Sequence, residues 1–237
     1  MNKVYYIAKR ELGSYFNSVV AYVVVVLFLV VTGALFWLTF FDDVQILSLR
    51  GFFNQAPLFL AFFVPAITMG SIATEKRSGT LELLMTMPIS NFQIVLGKFA
   101  AAMVLLAVVF LMTLPYPYTL SLLGDLDWGA VWAGYAGLML LGGAYTAIGI
   151  MASSWTRDQV VAVLIAFSLC FFLFVIDQLV GGQPTGTMAY VVEYASTNYH
   201  FQNIARGVLD VRNVVYYLSV IGVCLVITTL SIGARRW

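Results

Sequence analysis

The chain has 237 residues, of which 62% are hydrophobic and only 10% charged, with a mean hydropathy of +0.94. So little polar surface cannot cover a water-soluble globule, and the chain belongs in a bilayer. A formal net charge of +1, with the bases scattered beside apolar runs and forming no stripe, excludes nucleic acid as a partner.

From Met1 to Asn17 the pattern is amphipathic and helical, with Tyr5, Ala8, Leu12 and Phe16 on one stripe and Lys3, Arg10, Ser14 and Asn17 on another. Such a helix is expected to lie flat on the inner leaflet with its bases among the lipid headgroups. Six apolar runs follow, each near the roughly 20 residues that a membrane-crossing helix needs. They lie near Val19 to Phe41, Pro57 to Ala73, Ile94 to Leu114, Ala130 to Ser153, Val160 to Ile176 and Val214 to Gly233. The first exceeds a signal-peptide core, has no small-residue cleavage site after it and is expected to be retained. The second is short and carries Pro65 and Gly70, which predicts a kink braced by a neighbouring helix, because a freed backbone group in lipid must find another partner. The fourth repeats small residues four apart, Ala133 with Gly137, Gly142 with Thr146, Gly143 with Ala147 and Gly149 with Ser153, which predicts close helix packing.

Counting bases sets the expected orientation. With the amino terminus inside, that side receives Lys3, Lys9, Arg10, Lys76, Arg77, Lys98, Arg157, Arg235 and Arg236, and the outside only Arg50, Arg206 and Arg212. Both termini are therefore expected in the cytoplasm. No ionisable residue is expected deep inside a span, which argues against ion-coupled carriers, voltage sensors and intramembrane hydrolases.

Catalytic chemistry is missing. Gly97-Lys98 lacks the upstream glycine of a phosphate-binding loop, and the sole histidine, His200, has no second histidine or cysteine cluster near it in sequence. His200 reads as a surface histidine of an outer loop, Asp125 and Asp127 as a hydrophilic turn, and Cys170 and Cys224 as small hydrophobes. No catalytic residue, metal site or resident cofactor is expected, and the chain is read as a non-catalytic subunit.

The connector Thr74 to Lys98 gathers two acids and three bases. Glu75, Lys76 and Arg77 end the second span at the headgroups, and Ser78-Gly79-Thr80 can break the helix and cap a new one. Glu82 then falls in a first turn favoured by the helix dipole, Leu81, Leu84 and Met85 make a small apolar face, and Pro88 stops the helix. Ser90 to Gln93 is a capping box that starts the third span. The predicted transverse helix, near residues 79–87, has two readings on physical grounds: a lever pushed by a soluble partner, or a capped loop joining two spans. Residues 181–213 also have two: short helices on or dipping into the outer leaflet, or an ordinary outer loop.

The run Glu75-Lys76-Arg77-Ser78-Gly79-Thr80-Leu81-Glu82-Leu83-Leu84, followed by Pro88-Ile89-Ser90 and Gly97-Lys98, resembles the cytoplasmic connector of ABC type-2 exporter permeases. The likeness covers the chain as one transmembrane domain, all α-helical, with an amino-terminal interfacial helix, six spans and a long outer segment before the last. The stretches Tyr199-His200-Phe201, Arg206 to Asp210 and Val214 to Leu218 look closest to the small permeases of gliding-motility and copper-enzyme-maturation transporters. A proline that often precedes the first of these stretches is absent, since the chain reads Ala195-Ser196-Thr197-Asn198.

This resemblance implies a coupling helix docking on a separate ABC ATPase, which binds the ATP and Mg2+. The contact would involve Glu75, Gly79, Thr80, Glu82, Leu84, Met85 and Pro88, with an outer gate at Tyr199, His200, Phe201, Arg206, Gly207 and Asp210. It further implies a second permease subunit, as homo- or heterodimer, in the cell inner membrane among its lipids. The expected function is an exporter subunit; the alternative is a mechanical relay to a periplasmic-domain partner without transport.

Overall fold

A computed structural model describes residues 3–42, 49–86, 89–179, 194–207 and 210–234. Among these residues every regular element is an α-helix. In chain order they are α1 (Lys3–Phe16), α2 (Val19–Asp42), α3 (Arg50–Thr68), α4 (Gly70–Ser78), α5 (Thr80–Thr86) and α6 (Asn91–Thr113), then α7 (Pro115–Ser121), α8 (Trp128–Trp155), α9 (Gln159–Leu179), α10 (Thr197–Ala205) and α11 (Val211–Gly233).

Among the described residues, six stretches are long and apolar enough to cross a membrane: Val19–Leu38, Arg50–Ser78, Asn91–Ser121, Trp128–Trp155, Gln159–Ile176 and Val211–Gly233. The second is not the short run read from the sequence. It opens at Arg50 and continues for 29 residues through α3 and α4, because Asn54 and Gln55 interrupt the apolar run without breaking the helix, and Pro57 sits inside it. Its break falls at Met69, four residues after Pro65 and one before Gly70.

Helix α8 is the hub, and α3, α6, α9, α10 and α11 all pack on it. Its small residues explain why. The Phe53 ring of α3 fills the space where a side chain on Gly134 would sit, with ring atoms from 2.3 Å, and Phe201 and Ile204 of α10 lie over Gly137. Leu106 packs on Gly142, and Ile221 with Met103 on Gly143. Small residues four apart thus admit neighbours from several sides of one helix, the packing expected where no water drives helices together. By contrast α2, α9 and α11 leave rows of large apolar side chains exposed, among them Val23, Leu38, Leu164, Phe172 and Leu230, as lipid-facing helices do.

Capping sets most of the element starts. Ser90 and Gln93 form the reciprocal capping box of α6, Asp127 receives Gly129 and Ala130 amides at the start of α8, and Asp210 receives the Arg212 amide at the start of α11. Asp125 and Asp127 thus belong to the connector between α7 and α8, in which Asp127 is a helix cap.

Candidate functional site

The foot of the bundle is built where α1, α4, α5 and α6 meet. Gly79 joins α4 to α5 alone, with φ +74°, a left-handed conformation that glycine adopts without the penalty a side chain would add. The Ser78 hydroxyl donates back to the Thr74 carbonyl at 2.9 Å and contacts the Thr80 hydroxyl at 2.8 Å. These hydroxyls therefore bond back to the last turn of α4. In α5, Leu81 and Leu84 turn inward, and Leu84 packs with Ile7 of α1 and Ile94 of α6. Glu82, Gly79 and Thr80 face outward. The Met85 side chain and all of Pro88 lie outside the described residues.

Glu75 does not reach outward. Its Oε1 lies 2.9 Å from Lys98 Nζ and 3.1 Å from the Arg10 guanidinium, while Glu11 Oε1 lies 3.1 Å from Lys98 and 2.8 Å from Arg10. Two acids and two bases from α1, α4 and α6 thus neutralise one another. Lys98 is only 1% exposed, and the Arg10 guanidinium has its pKa raised further, first by the Glu11 hydrogen bond. A charge so buried persists only when paired. Lys98 is thus an ionisable group buried in α6, at the foot and among its counter-ions.

Gly97 lets α1 approach, since a Cβ there would meet Ile7 at 2.7 Å. The Gly97-Lys98 pair thus holds a helix instead of a phosphate. The face of α1 that packs is the one carrying Ile7, Glu11 and Tyr15, not the Tyr5–Phe16 stripe: Tyr5 and Phe16 are exposed. Tyr15 contacts the Ser71 hydroxyl at 3.2 Å, and burial pushes its phenol up to about 12, so it stays neutral. Beside this cluster opens a cavity of about 630 Å³, with Ser14, Ser71, Thr74 and Gln159 in its lining.

The break at Met69 is bridged from α8. Ser153 Oγ accepts the Ile72 amide at 3.1 Å and the Ala73 amide at 2.9 Å, and donates to the Met69 carbonyl at 2.8 Å. The bracing neighbour that the Pro65–Gly70 pattern requires is thus one hydroxyl. Lys76 Nζ reaches the Ser154 carbonyl, adding a second tie between α4 and α8. Ser153→Ala leaves two buried amides unsatisfied, so it should destabilise the protein by about 1–3 kcal/mol. Ser153→Thr keeps the hydroxyl; detergent-phase thermal unfolding of both variants checks this, and equal melting of Ser153→Ala and wild type would remove the bridge.

At the opposite end, α10 rises from within the bundle. The Thr197 hydroxyl meets Tyr145 Oη at 3.0 Å, and Tyr145 stands about 25 Å along α8 from Trp128 at 1.5 Å per residue. Gly207, just past α10, packs against Ala130 near the start of α8. The element therefore climbs back to the surface, with its backbone shielded by protein as depth requires. Ser196 caps its start, and Tyr217 donates to the Thr197 carbonyl at 2.7 Å.

His200 is fully buried, not on a loop surface. It stacks on Tyr216 with ring centroids 4.0 Å apart, and its nitrogens contact Asn213 Oδ1 at 2.7 Å and the Tyr194 carbonyl at 2.9 Å. Phe201 is also buried, Tyr199 is half-buried, Arg206 is exposed, Gly207 has φ +92° and Asp210 is a helix cap. The segment 180–193 lies outside the described residues.

A family model described as ABC-2 family transporter protein matches residues 5–235. The chain belongs to the ABC-2 transporter family. No curated protein matches it. This ABC-2 protein is a multi-pass membrane protein and a permease component of an ABC transporter. Its family is one of generally non-catalytic membrane subunits, which implies an ABC ATPase partner and typically a dimer. The residues that sequence reasoning passed over in this permease are Glu11, Lys98 as an ion-pair member, and Ser153 as a bridge. Only Ser153 left a signal, as the end of the Gly149-x-x-x-Ser153 repeat.

Proposed function

We propose that this permease is the transmembrane subunit of an exporter in the cell inner membrane, with both termini cytoplasmic, and that α5 is the element a separate ATPase pushes. The observation that carries this is the two-sidedness of α5. Its inner face is buried, with Leu84 seated against Ile7 of α1 and Ile94 of α6 and Leu81 in the main core, while Thr80 and Glu82 remain exposed beside the left-handed Gly79. An exposed acid on a short helix that ends a cross-braced span is suited to receive force from a soluble partner.

The ties to α8 through Ser153 and Lys76 would then carry the displacement of α4 and α5 into the hub. The energetic demand is modest, because moving a two-state equilibrium from 1:99 to 99:1 takes about 5.5 kcal/mol of differential binding. In this reading Glu75 is a positioning residue, since its carboxylate holds α4 to α1 and α6 and is not turned to a partner. ATP and Mg2+ belong to the ATPase.

Glu82→Lys should weaken co-purification with the ABC ATPase roughly tenfold, about 1.4 kcal/mol, and lower its stimulated turnover. Gly79→Leu should add about 1–2 kcal/mol of backbone strain at the positive φ and uncouple turnover from association. Both residues are exposed, so the fold should survive. Unchanged association and unchanged turnover in both variants would remove the lever.

A further inference from the structure

We propose that the end of the bundle opposite α5 carries a binding site for a phosphate-type oxyanion, built by Arg50 and Arg206. A cavity of about 260 Å³ lies between the first turn of α3 and the end of α10, lined by Arg50, Phe53, Asn54, Gln202, Ala205 and Arg206. The lining has two guanidiniums, two carboxamides and no acid.

Neither Arg50 nor Arg206 makes an ion pair or hydrogen bond among the described residues. This contrasts with the foot, where Arg10 and Lys98 are each matched by two carboxylates. Two like charges lining one cavity repel each other, and an anion between them reverses the sign of that interaction. Arginine's planar fork suits an oxyanion with several acceptor oxygens, and Asn54 and Gln202 supply further donors. Arg50 also opens α3, where Leu49 provides no side-chain cap, so the uncapped first turn adds partial positive charge.

The walls are held in place. Phe53 is wedged into the space at Gly134 and sits edge-on to Tyr135, and it packs against Phe201 of α10. The Gly207 turn, with φ +92°, positions the end of α10 behind Arg206. The helix ends that carry the two arginines are therefore fixed, which lowers the ordering cost of binding to that of the side chains alone. At 260 Å³ the cavity is smaller than the roughly 300–1,000 Å³ of a drug-sized site, which suits a single phosphate group. That group can belong to a phospholipid headgroup or to free phosphate. The site stands on its own geometry and does not depend on ATP coupling.

The test uses the full chain in a neutral maltoside detergent, titrated with short-chain phosphatidylglycerol, with inorganic phosphate and with an uncharged glycolipid of matched chain length, while thermal unfolding is followed. At least one phosphate probe should raise Tm saturably and the glycolipid should not. Arg50→Gln and Arg206→Gln should each weaken the response roughly tenfold, as loss of a charge-assisted contact does, and together abolish it. Arg212→Gln, at a base outside the cavity, should respond like wild type. A shift with inorganic phosphate marks the free anion as sufficient, and a shift with phosphatidylglycerol alone marks a headgroup site. No saturable shift with either probe, an equal shift with the glycolipid, or a double variant that responds like wild type overturns the proposal.

Discussion

Lys98→Met should destabilise the protein by about 3–5 kcal/mol, among the largest effects of any single substitution here. The reason is charge, since methionine largely preserves the volume. Removing the ammonium leaves Glu11 and Glu75 facing one another with only the half-exposed Arg10 between them. Arg10→Met, at a side chain 55% exposed, should cost less than about 1 kcal/mol, because water already screens that pair. Glu75→Gln in the Lys98→Met background should recover part of the loss, the signature of a coupled pair. Chemical unfolding in detergent, read by near-ultraviolet circular dichroism, gives all the values needed. If Lys98→Met melts no earlier than Arg10→Met, the quartet does not hold the foot together.

The second large effect is expected at Gly149→Ala. A Cβ at this position would lie 1.9 Å from Thr68 Oγ1 and 2.9 Å from Thr68 Cβ, and both residues are fully buried at the α3–α8 contact. Overpacking of this kind typically costs about 1–3 kcal/mol, and a β-branched neighbour leaves little room to adjust, so the upper end is expected. Thr68→Ala removes the nearest atom and should partly rescue Gly149→Ala, whereas Thr68→Ser keeps the hydroxyl and should not. The same contact sits beside the break at Met69, so the substitution should also lower ATPase stimulation in the assembled transporter. Full stability with full stimulation would show that α3 and α8 can part without consequence.

These effects cluster because the foot is tied twice. Ser153 and Lys76 fasten α4 to α8, and the ion quartet fastens α4 to α1 and α6. An element so held moves with its neighbours and not alone. That property suits a part that must transmit displacement, since packed interfaces shift between discrete arrangements and do not bend continuously.

Much of this was legible in the linear chain, for identifiable reasons. Spans follow from apolar length, and the capping box at Ser90–Gln93 follows from spacing alone, because both depend on residues close in sequence. The interruption of the helix at Met69, between Pro65 and Gly70, was legible for the same reason, but its partner Ser153 was not, because that contact joins positions more than eighty residues apart. The second span starts earlier than the apolar run does, because Asn54 and Gln55 lower the local hydropathy while the helix runs on through them. His200 read as exposed because one histidine in a polar-looking segment gives no hint of the tyrosines that close over it.

Composition and local pattern by themselves determined that this is a helical membrane protein with a charged connector, since hydropathy, capping and the cost of buried charge act over a few residues. Tertiary structure alone decided that Glu75 faces inward, that Lys98 is neutralised by α1, and that α10 climbs back through the bundle. Those outcomes depend on which distant helices meet, and in lipid that choice is made by close fit at glycines and by polar groups finding partners, neither of which is written in any one segment.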